Sequence, residues 1–347
     1  MTEEQWRLLL DVVSGRPVSP LPVAFIIDSP WLPNWYGIQI LDYFTSEELW
    51  FQANLQAVRQ FPQVLFLPGF WAEYGMCTEP SAFGVRCVFP PNEFPQVHKL
   101  LRSIEEAAEL PQPDPRTDGL LPFVLNRLKH ARPRIEEAGH QIRFAVARGP
   151  LNIAAHLLGT TEFLTAMMLE PEKTESLLHK ITSFLRDWLE LQMETFPTID
   201  GVFLLDDMIG FIGPREFERF GFPFFKRLFD YPVSVRFLHN DADCRASAPY
   251  LPDMGVNLFN MGFEVSLNDL KQMTRNEVAL MGNIPPRDVL AAGTPDTVRA
   301  AVQELIASLS DRRRILLSCG GGMPPGVRTE NLVAFLEGAW GQQGAGL

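Results

Sequence analysis

The stretch Val233-Ser-Val-Arg-Phe-Leu-His239-Asn-Asp241 runs from a β-branched, largely apolar segment straight into an imidazole and a carboxylate. A strand that stays apolar until its last residues is one covered on both faces, as in a parallel sheet flanked by helices. Near the other end of the chain, Leu317-Ser-Cys319-Gly-Gly-Gly322 repeats the arrangement with a thiol in place of the imidazole. As strands of one barrel, these two stretches would bring His239, Asp241 and Cys319 toward a single ion. Imidazole, carboxylate and thiolate are ordinary zinc ligands, and three protein groups with one exchangeable position make a catalytic zinc site.

Six further runs of the same kind lie outside these two. Together the eight are Pro22 to Ile27, Gln63 to Pro68, Ile142 to Ala147, Gly201 to Leu205, Val233 to Leu238, Val256 to Asn260, Val278 to Gly282 and Ile315 to Ser318. Longer segments with helical spacing separate them, notably Thr161 to Leu191 and Pro295 to Asp311, which begin near the Thr and Pro residues typical of helix starts. Eight such units predict an α/β fold, a (β/α)8 TIM-type barrel. At 347 residues the chain suits a single domain, 1–347, with an N-terminal helical extension over 1–20 and a flexible tail over 341–347. The connection from Gly69 to Gln141 is too long for one helix and crowds aromatic and proline residues into Phe70 to Pro95. A long insert after strand 2 is expected there, placed to act as a lid or a docking surface.

Composition excludes several classes of function. A formal charge of −12 opposes phosphate-backbone binding, so nucleic acid is not an expected partner. The start Met1-Thr-Glu-Glu-Gln-Trp has no signal-peptide character and no apolar run approaches a membrane span, which predicts a cytoplasmic protein. Four cysteines are too few for a disulfide framework; Cys77, Cys87 and Cys244 read as free thiols.

In a TIM-type barrel the chemistry sits at the C-terminal ends of the strands. Here those ends carry Asp28, then Phe70 and Trp71, Arg148, Asp206 and Asp207, His239 and Asp241, Glu264, Asn283 and Cys319. Asp206, Asp207 and Asn283 are therefore candidate catalytic residues, the two aspartates being equally suited to orienting a ligating imidazole or to capping the following helix. Trp31, Trp35, Tyr36, Phe70, Trp71 and Arg148 are candidates for substrate binding, against the ordinary alternative that aromatic residues fill the core. The Gly320 to Gly322 turn lacks the Lys and Ser/Thr of a nucleotide loop.

Met281-Gly-Asn-Ile-Pro-Pro286 with Gly293-Thr-Pro-Asp296, and Gly320-Gly-Gly-Met-Pro-Pro-Gly326 with Glu330-Asn-Leu332, resemble the uroporphyrinogen decarboxylase superfamily. Asp206-Asp207 with Gly210-Phe-Ile-Gly-Pro214 is consistent with it. That superfamily joins the heme-pathway decarboxylase to zinc-dependent methyltransferases that work with corrinoid proteins. The decarboxylase branch carries arginines after the first strand, an aspartate after the second and a Gly-His-Gly turn late in the chain. At those places this sequence has Asp28-Ser-Pro-Trp-Leu-Pro-Asn-Trp-Tyr36, Phe66-Leu-Pro-Gly-Phe-Trp71 and Gly320-Gly-Gly322. The methyltransferase branch binds zinc through a His-x-Cys pair, a later acid and a Cys on the last strand. His239 and Cys319 fall on this pattern, Asp241 stands where the first Cys would be, and Glu264 is the nearest later acid, with Asp243 as an alternative ligand.

The resemblance implies a zinc-dependent methyltransferase moving a methyl group between a small substrate and methylcobalamin or cob(I)alamin carried by a corrinoid partner protein. A methyl ether such as a methoxylated aromatic is favoured over a thiol. The alternatives are a metal-independent decarboxylase and a barrel that serves as an accessory subunit.

Overall fold

The computed structural model describes residues 1–341; of the expected flexible tail, 342–347 lie outside the described residues. Among the described residues there are ten strands: β1 (Ala24–Ile26), β2 (Leu65–Leu67), β3 (Arg86–Val88), β4 (Gln96–His98), β5 (Phe144–Arg148), β6 (Gly201–Leu205), β7 (Val235–Asn240), β8 (Leu258–Met261), β9 (Ala279–Ile284) and β10 (Ile315–Cys319). Each of the eight expected runs contains or overlaps one of them. β5 to β10 form a six-stranded parallel sheet in sequential order, and β1 and β2 form a parallel pair. The two are joined on one side, where Val23 bridges Leu317 and the Leu317 amide donates to the Pro22 carbonyl at 2.9 Å. The result is the TIM-type barrel expected from the sequence.

On the other side no ladder links β2 to β5 among the described residues. The edge of β5 is satisfied differently: the buried side chain of Gln192 accepts from the Val146 amide and donates to the Val146 carbonyl, both at 3.0 Å. One carboxamide thus stands in for a neighbouring strand, as a buried backbone pair requires some partner.

Alternation along the strands divides the core in two. Phe144, Phe203, Phe237 and Met281 face the barrel interior, with Phe203 and Phe237 stacked at 4.1 Å. The residues between them pack against the outer helices. The N-terminal helix Glu3–Ser14 is fixed at its start by a capping box between Thr2 and Gln5. Its Trp6 meets Phe144, the first residue of β5, at 5.5 Å, and Arg314, just before β10, donates to the Val13 carbonyl. The expected extension therefore covers the N-terminal end of the barrel.

The outer layer includes Pro171–Thr195, with proline in its first turn, and Pro295–Ser308, capped by Thr294. The expected helical stretch from Thr161 divides into Thr160–Leu169 and Pro171–Thr195 because Pro171 cannot continue the first helix. The insert holds the antiparallel pair β3–β4 before the chain rejoins the outer layer as the helix Leu121–Glu137. None of the described helices is long and apolar enough to cross a membrane.

Candidate active site

A cavity of about 390 Å³ opens at the C-terminal ends of the strands. Its wall includes Asp28 after β1, Arg148 ending β5, Asp207 after β6, His239 in β7 and Asp241 just beyond it. The insert supplies Trp71, Glu73, Met76 and Phe94, and the turn after β10 supplies Gly320, Gly322 and Met323.

His239 is in phase with the inward-facing Val235 and Phe237, so the same alternation that fills the barrel core aims its ring at the mouth. Its Nδ1 lies 2.7 Å from Oδ1 of Asn260, the residue opposite it on β8. The Asn260 Nδ2 is committed to the Met281 carbonyl at 2.7 Å, which leaves its oxygen for the imidazole. In its neutral form the ring held this way carries its proton on Nδ1 and turns the Nε2 lone pair toward the cavity, the form a metal requires.

Asp207 Oδ1 is 3.7 Å from that Nε2 and accepts the Asp241 amide at 3.0 Å. Burial pushes the Asp207 pKa up to about 6; the His239 ring pulls it down and the Asp241 carboxylate adds to the rise. One ligand atom each from Asp207, His239 and Asp241 lies within 4.8 Å of the others, the one group of this kind among the described residues. An imidazole nitrogen with two carboxylate oxygens suits zinc, whose N and O ligands stand about 2.0–2.2 Å from the ion. Gly321, at φ +79°, lets the turn pass close over this corner, since a Cβ there would stand 2.8 Å from Cβ of Asp241.

Opposite the cluster is a buried charge network. Arg148 donates to Glu73 at 3.0 Å and to Glu79 at 3.2 Å, and its Nε faces the Met76 sulfur at 3.4 Å. Ser29 Oγ donates to Glu73 at 2.7 Å. Asp28 sits beside this network with its Oδ1 buried and unpartnered. Burial first and the Glu73 carboxylate second push Asp28 well above the ordinary carboxylate range. Two carboxylates against one guanidinium leave no room for a third charge nearby.

The structure brings together five of the expected site residues, Asp207, His239, Asp241, Trp71 and Arg148, and sends the others elsewhere. Asp206 points the opposite way from Asp207: it accepts from the Leu151 and Asn152 amides at 2.9 and 3.1 Å and from the Met208 amide at 3.1 Å, capping two helical segments. Glycine at 149 makes room for it. Asn283 donates its side-chain amide to the Val265 carbonyl at 2.8 Å, away from the cavity.

Cys319 is in phase with Ile315 and Leu317, which face the helices, and its thiol donates to the Gly321 carbonyl at 3.5 Å. Burial pushes that thiol up to about 12. Cys319 does not join the ligand cluster, and Asp207 stands where it was expected. Glu264 is exposed in a shallow pocket on the far side of Asp241, with Asp243. Trp31 stacks on Trp35 at 5.2 Å and donates to the Val327 carbonyl. Trp35 donates to Thr329, Tyr36 packs on the core, and Phe70 stacks on Phe51 at 5.6 Å. These four aromatics belong to the core between the barrel and its outer layer rather than to the lining of the cavity.

Residues 5–339 match the family model described as "Uroporphyrinogen decarboxylase (URO-D)". The chain belongs to this family. Among curated members it is 22% identical to the uroporphyrinogen decarboxylase of Pseudoalteromonas translucida (strain TAC 125), over 97% of both chains. It is 26% identical to that of Synechococcus sp. (strain CC9902), over 70% of this chain and 69% of the relative. Among solved structures, a methyltransferase from Methanosarcina mazei has the same fold, with a TM-score of 0.79 at 20% identity over 95% of this chain and 96% of that one. A B12-independent methionine synthase from Shewanella sp. W3-18-1 gives 0.53 at 11% identity, over 91% and 96%.

Two features of the site escaped the sequence reading. Asn260 ends one of the eight apolar runs, but its role is set by the β7–β8 register, which places it beside His239. Glu73, Met76 and Phe94 lie in the insert, where no periodicity marks which side chains turn inward.

Proposed function

We propose that this protein is a zinc-dependent methyltransferase that moves a methyl group between a small substrate and the cobalt of a cobalamin carried by a partner protein. The observation that carries the reading is the cluster of Asp207, His239 and Asp241 at the barrel mouth, with the imidazole fixed by Asn260. These three residues would hold the metal, which supplies Lewis acidity at the substrate's oxygen or sulfur. Asp207 and Asp241 contribute the negative charge that balances a divalent ion. Trp71, Met76, Phe94 and Met323 give the cavity apolar walls against which a methoxylated ring or a short thiol can lie. The fold shared with the Methanosarcina mazei methyltransferase is consistent with this class of reaction.

The electrostatics favour this reading over decarboxylation of a polycarboxylate. Asp28, Glu73, Asp207 and Asp241 all line the cavity, whereas Arg148 is already committed to Glu73 and Glu79. Of the lining residues, that leaves Arg287 as the one guanidinium free of the network, on a chain of net charge −12.

The test is metal analysis of the purified protein together with methyl transfer to cob(I)alamin over methoxylated aromatics and thiols, run beside an assay for porphyrinogen decarboxylation. One zinc per chain and turnover, both lost in His239→Ala, support the proposal. Decarboxylation by a metal-free protein would replace it with the decarboxylase reading, and a protein inactive in both assays would point to an accessory barrel.

A further inference from the structure

Arg287 lines the same cavity as Asp28, Glu73, Asp207 and Asp241, yet among the described residues its guanidinium has no ion-pair or hydrogen-bond partner. It follows directly on Met281-Gly-Asn-Ile-Pro-Pro286, a motif the metal cluster does not use. The backbone beneath it is fixed. Residues Pro286–Ala291 form a π-helical turn, in which the Leu290 and Ala292 amides donate to the Pro285 and Arg287 carbonyls at 3.1 and 2.9 Å. Asn331, in the helix Thr329–Trp340, secures this turn by donating to the Leu290 and Gly293 carbonyls at 2.8 and 2.9 Å. The Gly320 amide donates to the Ile284 carbonyl at 2.8 Å, tying the end of β9 to the turn after β10. π-Helical turns of this kind are frequent at functional sites.

We propose that Arg287 binds a single carboxylate of the substrate, so that the substrate is an aromatic acid with its methyl ether on the side of the ring away from that carboxylate. The ether rests on the methyl-transfer reading; the acid rests on the geometry of the mouth. β7, β8 and β9 are consecutive in the sheet, and neighbouring strands lie about 4.8 Å apart. The strand that carries His239 and the one that ends before Arg287 are therefore separated by about 10 Å. A benzene ring with a carboxylate at one end and a methoxy oxygen at the other bridges that interval, the arginine stem taking up the remainder. The guanidinium offers two parallel N–H donors to one carboxylate, a fit that an ammonium lacks. Charge sets the limit of one. Glu73 and Glu79 outnumber Arg148 and bar an anion from its side of the cavity, which leaves Arg287 as the place where an anionic group can sit. Pro286, Met323 and Pro324 line the same cavity and offer the ring apolar surface.

The full-length chain, supplied with zinc, is titrated by calorimetry at neutral pH with 4-methoxybenzoate and with its neutral isostere 4-methoxybenzamide. The acid should bind about 10-fold more tightly, the worth of a charge-assisted hydrogen-bonded pair. In Arg287→Met the acid should fall to the level of the amide while the amide keeps its affinity, and Arg287→Lys should recover part of the difference. Since the Arg287 side chain has no partner in the fold, both variants should unfold in urea as the parent does. Methyl transfer to cob(I)alamin is measured on the same two compounds. An acid preference that depends on Arg287, with transfer from neither compound, would uphold the role of Arg287 and remove the methyltransferase reading. The role of Arg287 is overturned by binding that is equal for acid and amide, by an acid preference that survives Arg287→Met, by a loss in Arg287→Met that the amide shares, or by failure of both compounds to bind.

Discussion

Asp206 and Asp207 are adjacent in sequence and face opposite ways, so replacing each in turn should separate folding from chemistry. Asp206→Ala removes the acceptor for three buried amides, those of Leu151, Asn152 and Met208. Each orphaned donor costs about 1–3 kcal/mol. Burial of the carboxylate, visible in the raised pKa of Asp206, is itself unfavourable and is relieved by truncation. The net loss expected from removing two caps is about 2–4 kcal/mol, a large share of the roughly 5–15 kcal/mol that holds a domain together. Asp207→Ala removes one hydrogen bond, to the Asp241 amide, and relieves an unfavourably buried carboxylate, so the stability change should stay within about 1 kcal/mol. Urea unfolding followed by tryptophan fluorescence gives both values, and titration of each folded variant with zinc gives the second axis. Asp206→Ala should bind zinc as the parent does once folded, while Asp207→Ala should not. Equal stabilities for the two variants, or zinc binding retained in Asp207→Ala and lost in folded Asp206→Ala, would refute the assignment.

Asn260→Ala should leave the imidazole free to choose its tautomer and weaken zinc binding about 10–100-fold, measured by competition with a chelator. Arg148→Met leaves Glu73 and Glu79 buried without their cation and should destabilise the fold by about 3–5 kcal/mol in the same urea assay. For Asp207 the sign of the pH effect follows from its raised pKa. In the metal-free protein its contribution to stability is fully present below the unfolded value near 3.8 and is lost as pH rises to about 6. Asp207→Asn should flatten the fall in stability over that window; a slope identical to the parent's would count against the burial of this carboxylate.

The barrel was readable because strands buried on both faces declare themselves as unbroken apolar runs, and each of the eight coincided with or overlapped a strand. Reading the site needed one more rule, the alternation of side chains, and this is where the list of strand ends misled. Ile315, Leu317 and Cys319 share one face of β10, so a thiol that ends an apolar strand points at the helices. Phe203 and Leu205 share the inner face of β6 and Asp207, two residues beyond, keeps their phase, so the second aspartate reaches the mouth and the first does not. His239, in phase with Phe237, reaches the mouth by the same rule. The insert obeyed no such periodicity. Its contribution, from Glu73 to Phe94, depends on the β3–β4 hairpin and on contacts between residues far apart in the chain, which a single sequence does not display.

That no ladder joins β2 to β5 among the described residues has a bearing on how such a barrel can diversify. Register in a sheet is a shared constraint, because slipping one strand by a residue turns all its side chains to the wrong face. The chain between β2 and β5 is released from that constraint, since Gln192 satisfies the β5 edge from a helix. Residues can be added to or removed from this stretch without shifting any pair in the six-stranded sheet, so the wall that carries Asp207 and His239 stays fixed while the opposite wall of the cavity is free to change length and shape.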